Sequence, residues 1–485
     1  DFTVPGSPPT VKIGDQLAIS TLGAFISYGA VNNAPATITS GPLNLATTSG
    51  TREISVIDRP SIVSEITIDS DIINTSATSG TAPALLKTGN GRLTLGGAST
   101  FSRGVEVDAG ALRITNGSAL GAANVSSDGT VVSSGAALEL LGGISVEQEP
   151  LSISSDFDGT GAMQSVDGDN HWNGPIDIVS ATTVGVWSGT LHLGGIISSS
   201  GPHPQFTKLG AGTLVLEAAS TYAGNTTVAA GTLRVANTSG SATSAGNVIV
   251  SAGTALAGTG NIAGTVNVNA LGTLAPGSST GILSMGRLTV DPGAVAAMEV
   301  GGLTPGAGHD QIQVTFVANF DGELRLTLTN GFVPALGDEF VLVTYGTHVG
   351  AFHFHNLPAL PPGLFWAVDY GPTSMRVRVT DTVGADALLP LRHALHAPSP
   401  NPSRASVALA YDVAEGATVA VLAYDVGGRE VARPVEPAWR SPGRFVTPWE
   451  GTDRLGRPLP AGAYFLRLVV NGRPVGRSIP IQRLR

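Results

Sequence analysis

The sequence predicts an all-β protein: a right-handed parallel β-helix, then a β-rich end domain, then a C-terminal Ig-like β-sandwich. Three observations carry this. The segment LLKTGNGRLTLGGASTFSRGVEVDAGALRI at 85–114 recurs without a gap, 121 residues on, as FTKLGAGTLVLEAASTYAGNTTVAAGTLRV at 206–235; internal self-similarity signals stacked units. Apolar residues alternate with small polar ones in short runs such as REISVID, GRLTLGG and GVEVDAG, each ended by Gly, Asn, Asp or Ser, which reads as strands and turns. Hydrophobic residues make up 42% of the chain but aromatics only 5%, so the interior is built from small aliphatics, as a narrow coil requires.

The elements follow in chain order. Residues 1–19, DFTVPGSPPTVKIGDQLAI, are Pro-rich and extended. Thr10, Val11, Lys12 and Ile13 are the candidate donor strand, able to add to a sheet edge of a neighbouring copy. Residues 20–300 are assigned to the β-helix, with the repeats at 85–117 and 206–237 and coils of roughly 20–25 residues. Linkers here read Gly-Xaa-Gly or Ala-Gly-Thr more often than the two-residue turns of hairpins, so each coil buries its face against its neighbours. After residue 300 the strands lengthen and aromatics become commoner. Residues 301–382 form the end domain, placed to cover the open edge of the stack. Residues 383–397, rich in Pro and Ala, are a linker, and 398–485 hold about seven strands, which suits an Ig-like sandwich.

Residues 87–95, 99–101 and 107–112, with their counterparts 208–216, 220–224 and 228–233, resemble the autotransporter-associated, or passenger-associated, β-strand repeat. The resemblance implies coils of a secreted bacterial β-helix and covers about residues 40–275. PNPS at 400–403, YDVGGREV at 424–431 and WEGTDRLGRPLPAGAYFLRL at 449–468 resemble the C-terminal sorting domain of type IX secretion cargo, and equally the Ig-like fold of the flagellar hook-capping protein. A secreted location, at the surface or outside of a bacterium, is what these resemblances imply. The chain opens on Asp1 rather than Met, which fits a mature protein whose signal peptide has been removed and fits a truncated chain equally.

Composition narrows the partners. The net charge is −10, and Lys12, Lys87 and Lys208 are the only lysines. Most arginines lie after residue 320, so no basic patch precedes it and nucleic acid is not an expected partner. No apolar run reaches the length of a membrane-spanning helix. The absence of cysteine excludes disulfides and thiolate metal sites.

Candidate chemistry is sparse. Asp156, Asp158, Asp167 and Asp169 gather in one stretch; paired carboxylates are what a glycan-cleaving enzyme needs. DFDG opens like a calcium loop, so Asp156 and Asp158 are candidate calcium ligands, but the twelfth position holds Asp167 instead of Glu. The alternative is turn-forming Asp at coil corners. His353 and His355 lie two apart on one face of a strand, near His348, and are candidates for a divalent metal; the alternative is half-exposed strand histidines. Trp172 and Trp187 are candidate sugar platforms or packing residues. Asn74, Asn116, Asn124, Asn225 and Asn237 stand in Asn-x-Ser/Thr sequences, and corner Asn side chains also stack as ladders. No Walker or His-Glu-x-x-His sequence is present. No catalytic residue and no cofactor are therefore assigned.

The expected function is a non-enzymatic extracellular structural protein that polymerises with copies of itself, since stacked coils with open ends favour contacts that propagate. The alternatives are a monomeric adhesin for cell-surface glycan or a host surface, and a polysaccharide-degrading β-helix.

Overall fold

The computed structural model describes residues 10–12, 17–18, 23–28, 35–45, 51–58, 65–74, 83–122, 129–154, 158–201, 204–381, 392–414, 416–440 and 443–484. The described residues are all strand, turn and loop, without a helix. They fall into two units, Asp1–Asn247 and Val248–Arg485.

The first unit is a β-solenoid, built because each short alternating run buries one row of side chains and pairs its backbone with the coils before and after. One face is an eight-stranded parallel sheet that includes Arg52–Val56, Leu85–Thr88, Val105–Val107, Thr130–Val132, Leu151–Ile153 and Ile176–Ile178. A second parallel face runs through Ile66–Ile68, Arg92–Leu95, Gly110–Ile114, Ala136–Leu141, Met163–Asp167, Thr182–Val186 and Phe206–Leu209. The third face holds Ser145–Val146, Asp169–Trp172, Thr190–Leu193, Thr213–Leu216 and Thr232–Val235. Register places like on like: Leu93 beside Leu112 and Leu112 beside Leu138, and Leu191 beside Leu214, itself beside Leu233. All of these are buried. A fully buried leucine is worth about 1.5–3 kcal/mol relative to an exposed one.

Thr10–Lys12, read above as a donor strand for a neighbouring copy, is a strand. It pairs in parallel with Thr37, Ile38 and Thr39 of its own chain. Ile13 lies outside the described residues.

The two copies of the repeat occupy different faces. In the first, Leu85–Thr88 belongs to the eight-stranded sheet and Arg92–Leu95 to the second face. In the other, Phe206–Leu209 lies on the second face and Thr213–Leu216 on the third. Each nonetheless folds its lysine inward. Lys87 Nζ donates to the carbonyl oxygens of Thr88 at 3.1 Å, Gly89 at 2.6 Å and Ala109 at 2.8 Å. Lys208 Nζ donates to those of Gly210 at 2.5 Å, Gly212 at 2.5 Å and Ala230 at 2.9 Å. Both side chains are buried, and loss of water lowers each ammonium pKa from 10.5 to about 8. The turn that aims these carbonyls needs a left-handed residue: Gly89 has φ +73° and Gly210 φ +79°. A Cβ there would stand 2.3 Å from the Val56 carbonyl oxygen or 2.1 Å from that of Val186, so glycine is required twice over.

In the second unit the coils lengthen. Asn261–Val268, Ile282–Val290, Gln311–Phe320 and Glu339–Gly350 form one parallel run. Thr273–Pro276, Val295–Val300, Glu323–Leu328 and Phe354–Asn356 form another. The segment 301–356, assigned above to an end domain, thus carries the same parallel pairing as the coils before it. Buried Asp310 ties two of these coils by accepting the amides of Gly281 at 2.8 Å and Glu299 at 2.7 Å. Antiparallel structure begins with Phe365–Tyr370 and Ser374–Thr380, the latter also pairing along Glu339–Gly350.

Beyond it, seven strands among the described residues make two antiparallel sheets. One comprises Ala394–Leu395, Val407–Val413 and Gly443–Trp449; the other Ala417–Tyr424, Glu430–Arg440, Gly462–Val470 and Arg473–Arg483. Between them Tyr411, Val419, Val421, Trp449, Leu466 and Leu468 form the core of the sandwich. This sandwich sits against the last coil: Arg444 Nη1 donates to the His353 carbonyl oxygen at 3.1 Å, and the Phe354 and His396 rings meet edge-on with centroids 6.1 Å apart.

Candidate functional site

The third face of the first unit carries the densest cluster of chemistry-bearing side chains. In Asp169–Trp172 the alternation sends Asn170 and Trp172 inward and Asp169 and His171 toward solvent. Asn170 locks that phase at the corner. Its Oδ1 accepts the amides of Gly143 and Ile144, and its Nδ2 donates to Ser165 Oγ and the Asp167 carbonyl oxygen. On the next coil Leu191 and Leu193 point in while His192 points out, and register sets His171 beside His192.

The two imidazoles stack with centroids 4.3 Å apart and planes 13° from parallel. His192 Nε2 is 3.2 Å from Asp169 Oδ1, and His192 Nδ1 is 2.7 Å from Glu217 Oε1. Glu217 follows the third strand of the row, Thr213–Leu216. On the far side Glu147 accepts Ser145 Oγ at 2.6 Å and Asn173 Nδ2 at 3.0 Å. Those bonds, with a smaller contribution from His171, hold its carboxyl below the ordinary carboxylate value. Asp169, His171 and His192 offer ligand atoms that all lie within 4.8 Å of one another, the one such group of three among the described residues.

The candidates read from the sequence are distributed otherwise. Asp156 lies outside the described residues. Asp158 is an exposed turn residue at φ +44° and Asp167 is exposed at a strand end; neither belongs to the group of three. Asp169 does, but its partner is a histidine. His353 Nδ1 pairs with Asp321 Oδ1 at 2.6 Å. His348 Nδ1 lies 3.1 Å from the Gly350 carbonyl oxygen, and its ring stacks on Tyr370. His353 and His355 are not brought together with a third ligand among the described residues.

Trp172 is fully buried, which removes it as a sugar platform: the Asp169 corner puts even-numbered residues of that strand inside. Trp187 is 40% exposed and donates its Nε1 proton to Gln164 Oε1 at 2.9 Å. Asn116 and Asn225 serve the backbone at corners, accepting the amides of Ser118 and Asn247. Asn237 is buried and donates to the carbonyls of Ser239 and Gly240. Asn74 donates to Ser102 Oγ at 3.4 Å, and Asn124 lies outside the described residues. Sequence reading missed His171, His192 and Glu217. The available signal was a histidine recurring at one coil's spacing, in outward phase on both coils.

No curated protein matches the chain. Among solved structures it is similar to dimeric latent PorU from Porphyromonas gingivalis, at 22% identity over 26% of this chain and 13% of PorU, with a TM-score of 0.17; the aligned part is a small fraction of PorU's length. Residues 85–114 and 206–235 both match the Passenger-associated-transport-repeat. Within an all-β stack of parallel coils, the chain thus carries two copies of a repeat associated with secreted, surface-directed passenger proteins.

Proposed function

We propose that this chain is a non-enzymatic extracellular surface protein that works by displaying the flanks of its coils, as an adhesin does. The observation that carries this reading is the covered edge of the second unit. A stack that polymerises end to end needs open strand edges to propagate. Here Ser374–Thr380 pairs along Glu339–Gly350, and the Ig-like sandwich packs on the coil ending in Phe354–Asn356. The side of the coils, where outward residues such as Trp187 lie, then offers the surface for glycan or protein. The Ig-like module acts as the cover, and by its resemblance to sorting domains it is also the secretion address.

The self-assembling filament is the second reading, and it requires the cover to move. Light scattering and negative-stain microscopy of the full chain separate the two. Discrete particles of one mass are expected. Filaments formed by the intact chain would overturn the display reading, whereas filaments formed only after deletion of residues 392–485 would show the cover at work.

A further inference from the structure

In the row formed by Asp169, His171, His192 and Glu217, one imidazole stands between two carboxylates and stacks on a second imidazole. Glu217 is an acceptor, so the proton of the 2.7 Å bond belongs to His192 Nδ1. In a neutral ring that leaves a lone pair on Nε2. What Nε2 faces at 3.2 Å is Asp169 Oδ1, a second acceptor. Two acceptors at that distance call for a positive centre between them. A proton on Nε2 would serve Asp169 and His192 alone, while His171, stacked on His192 by register, would act only as a neighbour of Glu147. A divalent cation employs all three.

We propose that Asp169, His171 and His192 bind a transition-metal cation of the Zn2+ class, with Glu217 orienting His192 from behind. The donor set of two imidazole nitrogens and one carboxylate oxygen suits Zn2+ and its neighbours better than calcium, which prefers all-oxygen ligands. Zinc–nitrogen bonds are about 2.0–2.1 Å, so donors lying within 4.8 Å of one another must draw closer to share an ion, and the parallel imidazoles tilt out of their stack to aim both nitrogens at it. Glu217 supplies the carboxylate–histidine pairing that fixes ring tautomer and raises nitrogen basicity at metal sites. His192 is held with 15% of its side chain exposed, while Asp169 is 68% exposed, so the ion enters from solvent and keeps a coordination position for water or an outside donor. Because Asp169 and His171 sit on one coil and His192 on the next, the ion cross-links two rungs of the solenoid flank.

The test is calorimetric titration of ZnCl2 alone into the untagged, chelator-stripped full chain, with melting curves in parallel. Saturable binding of one equivalent and a raised melting temperature are expected. His192→Gln and Asp169→Asn each weaken binding at least tenfold and abolish the melting shift. Glu217→Gln weakens it about ten- to a hundredfold, and His353→Gln leaves it unchanged. Should His192→Gln fail to fold by circular dichroism, the exposed Asp169→Asn carries the same expectation. Absence of saturable binding in the wild type, or unchanged affinity in Asp169→Asn, overturns the site.

Discussion

The two copies of the repeat make the same lysine cage on different faces of the coil. Leu85–Thr88 lies on the first face and Phe206–Leu209 on the second. Yet Lys87 and Lys208 each reach three backbone carbonyls across a glycine turn. The repeat therefore encodes a corner and the two strands that leave it, and the rest of the stack decides which face they join. Among the positions where the copies differ, one matched pair stands out. Phe101 and Val105 are both buried and apolar in the first. At the corresponding positions the second has Tyr222 and Thr226, also buried, whose hydroxyls lie 2.5 Å apart. Burial pushes the Tyr222 phenol pKa up, so it stays a neutral partner.

The largest expected effect tests the shared part of the comparison. Lys87→Met and Lys208→Met each strip three carbonyls of their donor. Relief of a buried charge only partly offsets that loss, so about 3 kcal/mol of destabilisation is expected in either copy by urea unfolding. A loss confined to one copy would break the claim that the cage is face-independent.

A smaller effect sharpens the difference between copies. Tyr222→Phe leaves the Thr226 hydroxyl buried without its partner and should cost about 1–2 kcal/mol. Tyr222→Phe with Thr226→Val, which rebuilds the apolar pair of the first copy, should recover most of it, a coupling read from a double-mutant cycle. Additive losses would show that the two hydroxyls do not act as a pair.

A third effect is a slope. Both lysines have folded pKa values near 8 against 10.5 unfolded. Between those values the unfolded chain binds more protons, so stability contributed by these groups rises with pH from about 8 to 10.5. Denaturation midpoints measured across that window should climb in the wild type and flatten in the double variant Lys87→Met, Lys208→Met. An unchanged slope in that variant would place the proton linkage elsewhere.

Much of this was readable along the chain. Alternation of small aliphatics with glycine-punctuated corners specifies strands, because both are written within a few residues of each other; the lysine cage was not legible, since its third carbonyl comes from the next coil, at Ala109 or Ala230. The outward chemistry was not readable. Each corner restarts the inside–outside alternation, so Trp172 falls in and Trp187 half out according to where the turn sits, here fixed by Asn170.

What the sequence alone determined is the class of object: an all-β stack of coils followed by an Ig-like sandwich, with glycine punctuating the corners. Tertiary structure decided the rest. It chose the face each repeat joins, carried parallel pairing past residue 300 to Phe354–Asn356, and brought Asp169, His171, His192 and Glu217 into one row from three successive coils. The reason is range. Strand and turn preferences act between neighbours in sequence, whereas inter-coil register depends on the length of every intervening loop and is settled only when the coils stack.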